Sequence, residues 1–419
     1  MSQKTKITPQ QLFYLLSILG ILSFLIFAFF NGNSSTFDWL VMQHKSDYTF
    51  ADHFYHIFYG RDLSKTYNSY DVDPCFPPLI YLLYHYMYRI LPVDHMDRLV
   101  DVEFYPYYLF IYMIYASVLI VLFSYAVQTF NQENKSMFKN MLLTLIAVLS
   151  VPFGASALER GNSVFLVLIL LIFALIFKDS ENKYLRELSL ILLAVAANIK
   201  LYPAILGLLY LKERRFKEAF RAMVYGAALF LIPFVFFNGI SGIKDYLVIL
   251  YLMQGRSIER LTTIRGVITC AFMTAGGEEM KWTGHAIGKI VENIYLIVTL
   301  PAFFICKNKW KSLFLLVSPM VVYVSSAYRY TIVYFFLALL FYLKECDHQE
   351  DKKVLNYIYA FLFSMIFSIP IWAFKLELEN VIYFFVYLML IILFFDVYIE
   401  FYKKKKNTSK KTLILQGRA

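Results

Sequence analysis

Apolar stretches long enough to cross a lipid bilayer recur along the whole 419-residue chain, separated by short polar breaks. The first, LFYLLSILGILSFLIFAFF, is apolar on every face. A hydrocarbon layer of about 30 Å takes roughly 20 mainly apolar residues per helical crossing, and every backbone amide inside it must be bonded within protein. Continuous apolarity therefore predicts membrane helices and excludes a transmembrane barrel, whose strands would alternate apolar and polar residues. Composition agrees, with 59% apolar residues, 17% charged and a mean hydropathy of +0.57. A soluble domain would carry about a quarter charged residues. The fold class expected is all-α, a polytopic transmembrane bundle of roughly 10–12 membrane helices with interfacial helices in its outer loops. One membrane domain over residues 1–402 and a basic cytoplasmic tail over 403–419 account for the chain.

The formal charge of +10 lies in short basic clusters beside apolar spans, the pattern of the positive-inside rule, so no nucleic-acid partner is expected. A multi-pass protein of the plasma membrane follows. The four cysteines, Cys75, Cys270, Cys306 and Cys346, form no CxxC pair, and only Cys75 and Cys270 could meet. MSQKTK followed by an apolar run reads as an uncleaved first helix that starts in the cytoplasm, and the tail KKKKNTSKK is cytoplasmic too. Residues 32–75 hold six Asp but only three Lys or Arg, which marks an outer loop. Residues 238–287 form a second outer segment with interfacial helices. In the middle the charge count permits two solutions. Single crossings throughout place KDSENKYLRE outside and ERGN inside; alternatively residues 188–211 form a hairpin broken at IKLYP, which places ERGN outside and requires a short span such as 76–92 not to cross.

Ionisable groups at membrane depth are costly, so each is a candidate for function. Asp47 and Asp52 lie on the outer loop, in a stretch whose Tyr, Phe and Ile spacing predicts an amphipathic helix on the outer leaflet, just before Pro77 and Pro78 open the next helix. His53 and His56 share a face with each other but have no third ligand, so they read as surface aromatics and no metal is expected. In ALERGNSVF, Asn162 would cap a helix and Gly161 would turn, but the adjacent Glu159 and Arg160 between apolar runs are not explained by a helix start. Lys200 lies in a 24-residue apolar stretch beside Pro203, where a broken helix could line a cavity. Arg329, in SAYRYTIVYFF, reads equally as a lipid-phosphate anchor or a site residue. No GxGxxG, Walker, HExxH or GxSxG sequence occurs, so soluble-nucleotide chemistry and a cofactor are not indicated.

The order of these motifs resembles glycosyltransferase family 87, polyprenol-phosphate-sugar-dependent enzymes of the GT-C class. The resemblance rests on ADHFYHIFYGRDLSKTY leading to CFPPLIYLLY, then LERGNSVFLVLILLIFAL, LAVAANIKLYPAILGLLYLKERR and SAYRYTIVYFFLALL. It implies transfer of a sugar, mannose foremost, from a polyprenyl phosphate donor to a glycan or glycolipid acceptor at the outer face. An outer-loop aspartate that looks like the catalytic base falls on Asp52, with Asp47 second; Lys200, with Arg160 or Arg329, would hold the donor phosphate, and Glu159, Asn162 and Tyr202 would contact substrate. The chain departs from the family where histidine is common, at Arg329, and where Gly-Gln-x-Asn is replaced by Arg160, Gly161, Asn162 and Ser163. One base acting opposite the leaving phosphate would invert the anomeric centre. A polysaccharide polymerase, relying on Arg256, Arg260 and Arg265, and a lipid-linked-sugar transporter are the competing readings.

Overall fold

The computed structural model describes residues 7–31, 50–67, 74–90, 106–132, 136–253, 262–324, 328–347, 353–368 and 378–416. Every regular element among them is helical. In chain order they are α1 (Pro9–Asn31), α2 (Ala51–Tyr59), α3 (Pro78–Ile90), α4 (Pro106–Phe130), α5 (Met137–Leu149), α6 (Val164–Phe177), α7 (Lys183–Ile199), α8 (Leu208–Lys212) and α9 (Phe216–Leu231). The second half holds α10 (Ile240–Met253), α11 (Ile264–Gly276), α12 (Lys281–Ile305), α13 (Lys309–Val322), α14 (Phe335–Glu345), α15 (Lys353–Phe367) and α16 (Leu378–Gln416). A π-helical turn, Phe153–Leu158, and 3-10 turns, Tyr202–Gly207 and Arg329–Tyr334, interrupt the pattern.

Among the described residues, five helical stretches are long and apolar enough to cross a membrane: Pro9–Ile26, Tyr107–Phe130, Phe216–Phe236, Glu278–Ile305 and Val381–Lys406. Their outward faces carry bare apolar side chains, such as Ile26 at 58% exposure and Val235 at 76%, as a helix bathed in lipid should. Shorter helices sit inside this ring. α6 is apolar on all sides and buried along most of its length, and α13 is buried from Trp310 to Val322. A helix without a polar face has to be surrounded. That burial takes Lys311 with it, and the ammonium is matched by Asp396 of α16 at 2.5 Å, which also accepts from the hydroxyl of Tyr359.

The bundle has two distinct ends, and polar contacts between turns identify them. At one end Lys178 pairs with Glu213 at 2.6 Å and Arg215 with Asp179 at 2.8 Å, so the turn after α6 lies beside the turn after α8. Lys212 donates to the carbonyl of Cys306, Asn308 to Glu345, and the amide of Gln10 to Asp347, which brings the ends of α12 and α14 and the start of α1 to the same place. Asn131 and Asn140 join them in lining one cleft with Gln10 and Lys344. This is the basic end of the molecule, and Lys311 ties α16 and its lysine-rich continuation to it.

These contacts decide between the two sequence solutions. α7 leaves the basic end at Lys183 and reaches Lys200 at the opposite end, and the 3-10 turn with α8 returns to Lys212. Residues 188–211 therefore form a broken hairpin, and ERGN lies at the far end. α1 ends at that far end and α4 starts there, since Phe54 and Tyr108 meet with ring centroids 6.2 Å apart, so α3 makes no net crossing. The outer-segment helix α11 packs on α12, with Arg265 paired to Glu292.

Candidate active site

The far end gathers the motifs. α2 starts at Ala51, one residue after Phe50, whose φ of 59° is unusual for a residue with a Cβ and costs about 1–2 kcal/mol. Two contacts hold it there: the Phe50 amide donates to the carbonyl of Glu159 at 2.7 Å, and its ring lies 4.2 Å from that of Tyr112. Tyr112 in turn donates to the carbonyl of Leu158. The start of α2 is thus clamped onto the turn between the π-helical segment and α6.

That turn needs Gly161. Its φ is +65°, and an added Cβ would stand 2.6 Å from the Cβ of His53 and 3.1 Å from the Tyr112 ring. Only glycine permits both the backbone conformation and the approach of α2. With α2 this close, Asp52 meets two donors from the turn. Arg160 Nη2 donates to Oδ1 at 2.5 Å and Asn162 Nδ2 donates to Oδ2 at 2.6 Å. Asn162 stands one residue ahead of Ser163, the cap position of α6; its side-chain oxygen accepts from the Val164 amide, which turns its own amide toward the carboxylate. Burial alone would weaken the charge of Arg160, but the adjacent Asp52 outweighs it and the guanidinium is held above its usual range.

Lys200 enters from the break after α7. It is 4% exposed, and its ammonium lies 3.9 Å from the centre of the Phe76 ring and 5.5 Å from that of Tyr330. Among the described residues it engages these ring faces without a direct carboxylate partner, and the Phe76 ring packs in turn on His56 of α2, the helix that carries Asp52. A buried ammonium against aromatic faces retains most of its capacity to donate to an anion. Tyr202, on the 3-10 turn, accepts a long hydrogen bond of 3.5 Å from Tyr334. Arg329 opens the 3-10 turn that carries Tyr330 and Tyr334 and is 4% exposed, so it is buried in the bundle instead of reaching out to lipid headgroups.

Glu159, Arg160, Asn162 and Asp52 therefore form one cluster; Lys200 ends α7 just before the first of two 3-10 turns, and Tyr202 and Arg329 stand on those turns, which meet through Tyr202 and Tyr334. Asp47, Arg256 and Arg260 lie outside the described residues. One expectation needs correction. His53 and His56 are not surface aromatics: they are 2% and 8% exposed, His53 beside Tyr84, Tyr112 and Tyr115, and His56 bonded to the Tyr81 hydroxyl at 3.0 Å. The helix is amphipathic as expected, with its aromatic face packed against α3 and α4. Burial pushes the His53 imidazole from its ordinary 6.5 down to about 3, so it is neutral. Cys75 and Cys270 are not joined to each other.

Sequence reasoning missed Phe76 and Tyr330 as parts of this constellation, while the turn it assigned to Gly161 is present. Phe76 precedes the two prolines and Tyr330 follows Arg329, so both sat within the motifs, but an aromatic ring in a chain with 19% aromatics gives no signal of its own. No curated protein and no solved structure matches the chain. A family model, Glycosyltransferase family 87, matches residues 90–288, just short of half the chain, and that span carries Glu159, Arg160, Asn162, Lys200 and Tyr202. Over these residues the chain is similar to glycosyltransferase family 87.

Proposed function

We propose that this membrane glycosyltransferase moves a sugar, mannose foremost, from a polyprenyl phosphate carrier to a glycan or glycolipid acceptor at the outer face of the plasma membrane, with inversion. The observation that carries the reading is the buried Lys200 on the face of Phe76, whose ring lies 4.0 Å from that of His56 on α2, the helix that carries Asp52. The basic end, with its clusters of Lys and Arg, would face the cytoplasm, which puts this site outside.

Asp52 is the proposed base. Arg160 and Asn162 each occupy one lone pair of a different carboxylate oxygen, and a carboxylate offers about four acceptor positions, so one on each oxygen is left for the acceptor hydroxyl. The two donors fix the carboxylate plane, and Arg160, being engaged there, serves orientation more than phosphate binding. As the acceptor oxygen bonds to the anomeric carbon, its proton passes to Asp52. The bond from that carbon to the phosphate oxygen breaks, and the electron pair leaves with the polyprenyl phosphate. Lys200, helped by Arg329, neutralises the returning charge; a desolvated cation acts there more strongly than one in water. Glu159, Asn162 and Tyr202 line the approach of the substrates. A resident cofactor has no step to perform in this scheme.

The polymerase reading draws less support, because Arg265, its one described arginine, is engaged with Glu292 between α11 and α12. The test is transfer of labelled sugar from polyprenyl phosphate mannose to membrane acceptors. Asp52→Asn and Lys200→Ala should each lower the rate by about 100-fold or more, the usual scale for removing a base or a charge stabiliser. Wild-type rates in both variants would overturn the site.

A further inference from the structure

α2 has a second face, which Asp52 shares with two tyrosines. The buried side of the helix carries Ala51, His53, Phe54, His56 and Ile57, and the half-buried side carries Asp52, Tyr55, Phe58 and Tyr59. Tyr55 and Tyr59 stand three and seven residues beyond Asp52, so the three make one stripe along the helix. The two tyrosine rings are nearly parallel, 17° apart with centroids at 6.5 Å. Parallel rings at that separation are displaced along one another and form a stepped surface instead of a closed sandwich. One face of Phe58, by contrast, is occupied by the guanidinium of Arg61 at 3.8 Å.

Around the helix, Tyr55 and His56 flank Asp52 on opposite sides. At about 3.6 residues per turn, Tyr55 falls roughly 60° short of Asp52 and His56 passes it by roughly 40°. Lys200 is on the His56 side, because the Phe76 ring on which its ammonium rests lies 4.0 Å from the His56 ring. Arg160 and Asn162 also reach Asp52 from the buried side, since the glycine between them packs on His53. The flank of Asp52 that Tyr55 borders is therefore the open one, and it is turned away from the cation. An inverting displacement requires that arrangement, with the acceptor oxygen entering opposite the departing phosphate.

A pyranose ring presents C–H groups on its face and hydroxyls at its rim. Such a face packs on an aromatic ring while a rim hydroxyl stays free to reach a carboxylate beside it. Residues three or four apart on a helix have Cβ atoms about 5–6 Å apart, a spacing close to the step from one sugar ring to the next in a glycan. We infer that Tyr55 and Tyr59 are the acceptor platform and that the acceptor is a saccharide of at least two rings. The ring that receives the new sugar lies on Tyr55 beside Asp52, and its neighbour lies on Tyr59. The inference rests on the function proposed above and adds the acceptor's chemical class and the residues that select it. A lone hydroxyl on a protein or a lipid headgroup would leave both tyrosine faces unused.

The test uses the full-length protein in nanodiscs, with methyl glycosides of glucose, galactose and mannose and of their disaccharides as probes, and ligand-observed NMR to measure Kd. Wild type should bind at least one disaccharide about tenfold more tightly than the matching monosaccharide. Tyr59→Ala should remove that advantage and leave monosaccharide binding within about twofold, whereas Tyr55→Ala should weaken both about tenfold. Tyr55→Phe and Tyr59→Phe keep the ring faces and should bind within about threefold of wild type. Absence of glycoside binding to wild type, wild-type binding by both alanine variants, or phenylalanine variants that fail as the alanine ones do would each overturn the platform. Transfer from polyprenyl phosphate mannose to the same glycosides is read separately: the alanine variants should raise the acceptor KM and leave the donor KM within about twofold, and an equal rise in both would make the rings membrane anchors instead. Binding in the expected pattern without any transfer leaves the platform standing and removes the transferase reading alone.

Discussion

At the residue scale, the site depends on how closely α2 approaches the Arg160–Asn162 turn. Gly161→Ala forces a Cβ to 2.6 Å from His53 and asks a non-glycine residue to adopt φ +65°. Overpacking with backbone strain of this kind costs about 1–3 kcal/mol, so a lower melting temperature is expected together with reduced transfer, because α2 carries Asp52. Intact activity in a destabilised Gly161→Ala protein would show that the contact is structural only. His53 gives a pH signature. Its imidazole stays neutral in the fold until the pH falls to about 3, whereas the unfolded chain takes up a proton near 6.5. The unfolded state then binds more protons in that window, so this contribution to stability is present above pH 6.5 and drains away as the pH falls toward 3. His53→Phe should flatten the acid limb of stability against pH, measured by thermal unfolding in detergent.

At the scale of elements, α13 illustrates what burial demands. Its first turn contains Lys311, 1% exposed, and Asp396 of α16 lies 2.5 Å away. Asp396→Leu leaves the buried ammonium only the longer contact to Glu400 at 3.5 Å and should destabilise by up to about 3–5 kcal/mol, while the double change Lys311→Met with Asp396→Leu should recover most of the loss. If the double variant is as unstable as the single one, the pair is not what couples α13 to α16. The broken hairpin is the other element whose form was legible only in part. Pro203 marked a break and Lys200 a functional position, but charge counting weighed the hairpin equally against single crossings. The decision came from Lys178 and Arg215 reaching Glu213 and Asp179, residues more than thirty positions apart in sequence. Such contacts leave no periodicity to read.

For the whole molecule, the arrangement sets which turns share a side of the membrane. In a cysteine-free background, Asn182→Cys and Arg214→Cys should react with an impermeant thiol reagent from the same face, and Ser64→Cys and Asn238→Cys, whose parent residues meet through a 2.6 Å hydrogen bond, from the opposite one. Labelling of positions 182 and 214 from different faces would sink the broken hairpin and with it the outer placement of Arg160.

By itself the sequence determined that this chain is a helical membrane bundle, because 20-residue apolar segments leave the backbone no other way to satisfy its hydrogen bonds in lipid. It also singled out Asp52, Arg160, Asn162, Lys200 and Arg329, since charges beside or within apolar spans are conspicuous against so little polarity. What only the tertiary structure decided is how they stand to one another: Asp52 is held by two donors more than a hundred residues away, Lys200 lies against Phe76 and Tyr330, and His53 is a buried wedge under the turn. Hydropathy records how far each residue would prefer to be from water. It carries no information about which helices become neighbours, which depends on shape, on the glycine that lets two segments touch, and on ion pairs between distant turns.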